Sequence, residues 1–141
     1  MVLVDTSSWI HFLRPDGDAI VRGRVEAALH AGSARWCSLV RLELWNGAGG
    51  DREKRILRDF ERHVPELGIT PEVWNDAYEL ARRCRTAGVT VPATDLLIDA
   101  CARCHGAALE HADGDFDQIA KVAPPDAARE NAKSDQVEDE T

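Results

Sequence analysis

The chain begins with three apolar residues, Val2-Leu3-Val4, that pass directly into Asp5-Thr6-Ser7. Two of the three are β-branched, and an unbroken apolar run is the signature of a strand covered on both faces. Trp9, Ile10, Phe12 and Leu13 follow at helical spacing, with Thr6 or Ser7 placed to cap the helix. A buried strand that hands over to a helix points the chain toward an α/β fold. Asp5 stands at the handover, beyond the carboxyl end of the strand, where open α/β sheets bind ligands. Asp is also a preferred helix cap, so from this segment alone Asp5 reads either as a cap or as a ligand.

The same alternation continues. Pro15-Asp16-Gly17 is a turn, and Asp18 caps a helix that turns Ile20, Val21, Val25, Ala28 and Leu29 inward and ends at Gly32. Arg35-Trp36-Cys37 reads as a second strand, and Ser38 as the cap of a helix with Leu39, Leu42, Glu43 and Asn46 at helical spacing. Glu43 lies among Leu42, Leu44 and Trp45, at the rim of an apolar surface. After Gly47-Ala48-Gly49-Gly50, residues 51–62 mix Arg52, Lys54, Arg55, Arg58 and Arg62 with Asp51, Glu53, Asp59 and Glu61. Opposite charges three and four apart favour a solvated, ion-paired helix over a dedicated RNA-binding face. Leu67-Gly68-Ile69 is a candidate strand. Thr70-Pro71 starts a helix whose stripe is Val73, Ala77, Leu80, Ala81 and Cys84, closed by Gly88. Ala93-Thr94-Asp95 opens a helix apolar enough to be central, and Ala107–His111 is a last strand before Asp113-Gly114-Asp115-Phe116. Short strands alternating with helices predict an α/β domain around a mostly parallel sheet.

At 141 residues the chain is one domain's length. No apolar run approaches the ~20 residues that span a bilayer, and no signal-peptide pattern opens the chain, so a cytoplasmic location is expected. The net charge of −8 argues at first against a nucleic-acid partner. Half of it comes from residues 126–141, where six acids face Arg129 and Lys133. That segment has almost no apolar residues and reads as a disordered tail after a domain over 1–125. Four carboxylates gathered in one metal site would leave the rest of the domain neutral.

Cys101-Ala-Arg-Cys104-His105 spells a c-type haem attachment pattern, yet such attachment belongs to exported chains. A zinc site lacks its second ligand pair, because Cys37 and Cys84 stand alone. Small buried side chains are the better reading of these cysteines.

Asp5 and the Asp113/Asp115 pair follow strands, while Glu43 and Asp95 lie early in helices that follow extended segments. All can reach one end of a parallel sheet. Clustered carboxylates raise one another's pKa, and a divalent cation compensates them. Oxygen donors without His or Cys suit Mg²⁺ or Mn²⁺. One or two such ions can lower the pKa of a bound water and stabilise a leaving oxygen, which suits phosphodiester hydrolysis.

Val-Leu-Val-Asp5-Thr6-Ser7, Glu43 after Ser38-Leu-Val, Ala93-Thr94-Asp95-Leu-Leu-Ile and Asp113-Gly-Asp115-Phe116-Asp-Gln-Ile-Ala together resemble the PIN-domain ribonucleases, and more narrowly the VapC toxins of bacterial toxin-antitoxin pairs. The resemblance covers residues 1 to 123. It implies a three-layer α/β/α sandwich, Mg²⁺-dependent endonucleolytic cleavage of RNA (tRNA, rRNA or mRNA) and inhibition by a VapB-type antitoxin. A homodimer is also implied. Carried over by position, Asp5, Glu43 and Asp95 match the family's first three acids; Asp113 fits best as the fourth, with Asp115 close behind. Thr6 matches a hydroxyl residue that fixes the first carboxylate, and many members have Thr where this chain has His111. Asp99, one turn after Asp95, is placed to hold metal-bound waters, whereas His11 and His111 read as surface residues. Leu42 and Trp45 are candidate antitoxin contacts. The rival readings are a toxin that binds RNA without cutting it and a metal-dependent phosphatase.

Overall fold

A computed structural model describes residues 1–124. The acidic segment 126–141 lies outside the described residues. The element order is β1 (Val2–Val4), α1 (Thr6–Leu13), α2 (Ala19–His30), β2 (Ala34–Cys37), α3 (Ser38–Gly47), α4 (Asp51–His63), β3 (Glu66–Leu67), α5 (Pro71–Thr86), α6 (Ala93–Cys104), β4 (Ala108–Glu110) and α7 (Gly114–Val122). The four strands form one parallel sheet in the order β3-β2-β1-β4, with Leu3 opposite Arg35 on one side and Leu109 on the other. This is the α/β/α architecture expected, with an all-parallel sheet. Among the described residues no helix is long and apolar enough to cross a membrane.

The core explains why the short strands suffice. Leu3, Val4, Trp9, Trp36, Val40, Leu57 and Ile98 are all buried, with Trp9 at the centre of an aromatic cluster. Its ring lies 4.9 Å from Phe60 and 6.3 Å from both Trp36 and Phe12. Each such pair adds about 0.5–1.5 kcal/mol beyond burial, so α1, β2 and α4 are held together by rings rather than by long ladders. On the other side α5 packs along α6, and both touch α7.

Local chemistry departs from the sequence expectation at several element ends. The cap of α1 is Asp5 itself, whose side chain accepts from the Ser7 N–H, so neither Thr6 nor Ser7 serves as cap. Cys37 occupies the cap position of α3 without a side-chain bond, and Ser38 is already the first helical residue. Ile20, expected inward, is 71% exposed; it sits in the first turn of α2, ahead of where that helix meets the core. β3 is Glu66–Leu67 rather than 67–69, β4 is one residue shorter at each end than expected, and α7 forms after Asp113 where no helix was foreseen. The Pro15–Gly17 turn brings the chain so close to α1 that a Cβ on Gly17 would lie 1.8 Å from the His11 carbonyl oxygen, a contact only glycine avoids.

Asp18 does cap α2 as expected, its Oδ1 accepting from the Ile20 and Val21 N–H groups at 3.0 Å each. Asp18→Ala leaves both donors without that partner, and urea unfolding should show a loss of about 1 kcal/mol.

Candidate active site

Connections run from β1 outward through β2 to β3, and the chain then returns to β4 on the opposite side of β1. The gap between β1 and β4 is therefore the topological switch point, and the crevice beyond the strand ends is where ligands bind in open α/β sheets. Asp5 follows β1 and Asp113 follows β4, so both stand at its mouth. A backbone bond from the Asp5 N–H to the Glu110 carbonyl, 2.8 Å, fixes their spacing.

Asp5 is only 3% exposed. Its Oδ2 accepts from the Ser7 N–H at 3.0 Å and from the Ser7 hydroxyl at 2.6 Å. The same hydroxyl accepts from the Ala112 N–H at 3.0 Å. Ser7 thus ties the first acid to the loop that carries the last ones, a role the sequence reading gave to Thr6. The available signal was the spacing: once Asp5 caps α1, the residue two positions on is within reach of its carboxylate.

Asp95, Asp113 and Asp115 each offer a carboxylate oxygen within 4.8 Å of the others. Asp95 is buried at the start of α6, and its Oδ2 has no hydrogen-bond partner among the described residues. Burial raises its pKa from 3.8 to about 7, and the charges of Asp113, Asp5 and Asp115 push in the same direction. Asp113 Oδ1 accepts from the Asp115 N–H at 3.0 Å, capping α7 while leaving its second oxygen for the cluster. The sequence left Asp113 and Asp115 as alternatives; the structure brings both to Asp95. A buried carboxylate with one orphaned oxygen, gathered with two more carboxylates and no His or Cys, fits a hard divalent cation.

Glu43 is set apart from these three. Its Oε1 accepts from the Thr6 hydroxyl at 3.0 Å, so Thr6 fixes the second acid rather than the first. Burial raises the Glu43 pKa, the Thr6 bond opposes that, and the Asp5 charge adds to it. Asp5 is therefore the electrostatic link between Glu43 on one side and the Asp95 group on the other.

The sequence pattern of PIN domains matches residues 2–122. The ribonuclease VapC11 of Mycobacterium tuberculosis is 34% identical over 131 residues, spanning 91% of this chain and 98% of that protein. The chain is a PIN domain of the VapC ribonuclease family. The ribonuclease VapC21 of the same species is 32% identical over 72% of this chain and 76% of that protein. Two solved structures share the fold. FitAcB from Neisseria gonorrhoeae superposes with a TM-score of 0.66 at 19% identity, over 84% of this chain and 93% of that one. The sarcin-ricin loop cleaving toxin VapC20 of M. tuberculosis gives 0.63 at 22%, over 83% and 93%.

The remaining expected residues of this PIN domain stand elsewhere. Asp99 is buried and its carboxylate is taken by Arg103, which also donates to the Ala123 carbonyl at 2.7 Å. Through Arg103, Asp99 links α6 to the end of α7. Leu42 is 64% exposed on α3, and Trp45 packs part-way against the core. The pocket beside Glu43 is lined instead by Ile10, Leu13, Leu44 and Leu57, with Arg14 and Glu53 at its edge. The cysteines do not converge on a ligand: Cys101 is buried, Cys104 Sγ contacts Asp76 at 2.8 Å, and His105 Nε2 contacts the Gly68 carbonyl at 2.8 Å.

Proposed function

We propose that this VapC-family chain is the toxin of a toxin-antitoxin pair and an endoribonuclease that cuts RNA with Mg²⁺, for which Mn²⁺ can substitute. The observation that carries this reading is the meeting of Asp95, Asp113 and Asp115, each with a carboxylate oxygen within 4.8 Å of the others, at a buried Asp95 whose Oδ2 has no hydrogen-bond partner among the described residues. In this reading Asp95, Asp113 and Asp115 hold the cation, and Asp5, locked by Ser7, closes the site from the β1 side. When bound, the ion supplies a Lewis acid that polarises the scissile phosphate and lowers the pKa of water. Glu43, held through Oε1 by Thr6, has Oε2 left to serve as a further acid toward the cation from the Asp5 side. The names of the relatives, all ribonucleases, support the same substrate class.

The test is a product assay. Pure protein is incubated with RNA in Mg²⁺, in Mn²⁺ and in EDTA, and the RNA is resolved on a denaturing gel. New discrete ends with either ion and intact RNA in EDTA are expected. A shifted band on a native gel with no new ends would replace cleavage by sequestration. Release of phosphate from small esters with intact RNA would make the chain a phosphatase.

The cognate VapB-type antitoxin is proposed to seat an apolar segment in the pocket beside Glu43, with the exposed Leu42 as a further contact and Trp45 as its backing. An antitoxin Arg reaching Glu43 or Asp5 would compete with the cation through a charge-assisted contact. Solved assemblies of related fold include VapBC2 from Rickettsia felis. The homodimer belongs to the same proposal, with the exposed Trp74 and Tyr78 of α5 as available apolar surface.

A further inference from the structure

We propose that the outer face of α4 is a second binding surface, separate from the cleavage crevice, for the phosphodiester backbone of the RNA. It rests on the RNA-cleaving reading above. Helix α4 carries five basic and four acidic side chains between Asp51 and Arg62, and on sequence alone they neutralise one another. The structure separates them, because Glu53 and Glu61 are drawn to groups away from the outer face.

Glu53 accepts from the Gly49 N–H at 3.3 Å and borders the pocket beside Glu43. Asp59 lies 3.3 Å from His63, a partner that is charged only when protonated. Glu61 is drawn to Arg41 of α3 at 3.8 Å. Asp51 sits in the first turn, where the helix dipole favours it. Of the bases, Arg52 donates to the Leu13 carbonyl at 3.2 Å. Arg55, Arg58 and Arg62 are exposed and make no salt bridge among the described residues.

These three arginines are three and four residues apart. They fall within about 60° of one another around the helix, on the side opposite Leu57 and Phe60 that Asp51 and Asp59 also share, and are spaced by about 4.5 and 6 Å along its axis. The inward side of α4 is the one that buries Leu57 and Phe60 and packs Ile56 on the core. The arginine stripe therefore offers charge without an apolar anchor. A protein partner needs such anchors at the centre of its interface, whereas a polyanion is held by counterion release from its phosphates alone. Arginine forks bind phosphate oxygens in pairs, which favours phosphodiesters over scattered carboxylates.

The test uses full-length protein carrying Asp5→Asn, so that RNA is bound and not consumed, with and without Arg55→Gln, Arg58→Gln and Arg62→Gln together. The probes are a folded transcript of transfer-RNA size and a short single-stranded oligonucleotide, each titrated across a range of salt. The triple change should weaken the transcript by about ten-fold at physiological salt and flatten the log–log salt slope by about two to three, the yield of three phosphate contacts. The short probe should be unaffected, and the exposed positions should leave the melting curve unchanged. An unchanged slope for the transcript overturns the proposal. Equal loss with the short probe also overturns it, because the stripe would then belong to the crevice. So does loss of antitoxin affinity with the RNA slope retained, which would make the stripe a protein contact. If the parent chain fails to cut RNA while the slope difference persists, the binding surface stands and the cleavage reading falls.

Discussion

Asp5→Asn should lower RNA cleavage by about 10³-fold, the scale on which removal of one preorganised electrostatic group acts, and leave the fold intact. The separation of the two effects follows from the double duty of this side chain. As the cap of α1 it needs only an acceptor oxygen for the Ser7 N–H, and asparagine supplies one of nearly the same shape. As a wall of the site it needs its charge, which acts on Asp95 and on Glu43 alike. Cleavage kinetics and a thermal melt on the same preparation check both halves. Metal-dependent cleavage at the parent rate by the pure variant would remove Asp5 from the site.

The metal-free protein should lose stability as pH rises, against the usual behaviour of acids in folded proteins. Asp95 has its pKa raised from 3.8 to about 7, first by burial and then by Asp113, Asp5 and Asp115. Between those two values the folded chain holds a proton that the unfolded chain has released. Unfolding then releases a proton, so stability declines through this window and levels off above the folded pKa. A divalent cation reverses the sign, because it binds the ionised carboxylates and not the protonated one. At 100 times its dissociation constant it would stabilise by about 2.7 kcal/mol. Melts in EDTA at about pH 5 and about pH 8, each repeated with excess Mg²⁺, test the linkage. The EDTA sample should melt higher at the lower pH, and Mg²⁺ should raise the melting temperature mainly at the higher one. Equal melting in EDTA at both values, with no response to Mg²⁺ at the higher, would show that these acids do not form one site.

Much of this was legible in the chain. Val2-Leu3-Val4 leading into Asp5, and the apolar stripe after Thr70-Pro71, announce their elements because each is a local pattern with a local cause. The meeting of Asp95 with the Asp113 and Asp115 loop was foreseeable from their places at element ends. The bond from Ser7 to Asp5 was legible only once Asp5 is taken as the cap of α1, and the reach of Thr6 to Glu43 was not, since it depends on the angle at which α1 leaves β1. Strand ends of two to four residues carry too little pattern to fix β3 at Glu66–Leu67. The partner of Asp99 was hidden as well: Arg103 lies one helical turn away, yet what holds it there is the carbonyl of Ala123 at the far end of α7. The charges of α4 read as balanced because sequence shows signs and not which side chains are drawn to other partners, as Glu61 is to Arg41.

The pairing of β1 with β4 joins residues more than a hundred positions apart. Asp5 is made more than a hundred residues before Asp113 and Asp115. The cluster of Asp95, Asp113 and Asp115 with Asp5 beside it therefore does not exist until translation has passed α7, however early β1 and α1 emerge. A lethal activity against RNA would in this way stay silent during its own synthesis, and truncated products ending before β4 would be harmless to the machinery that made them.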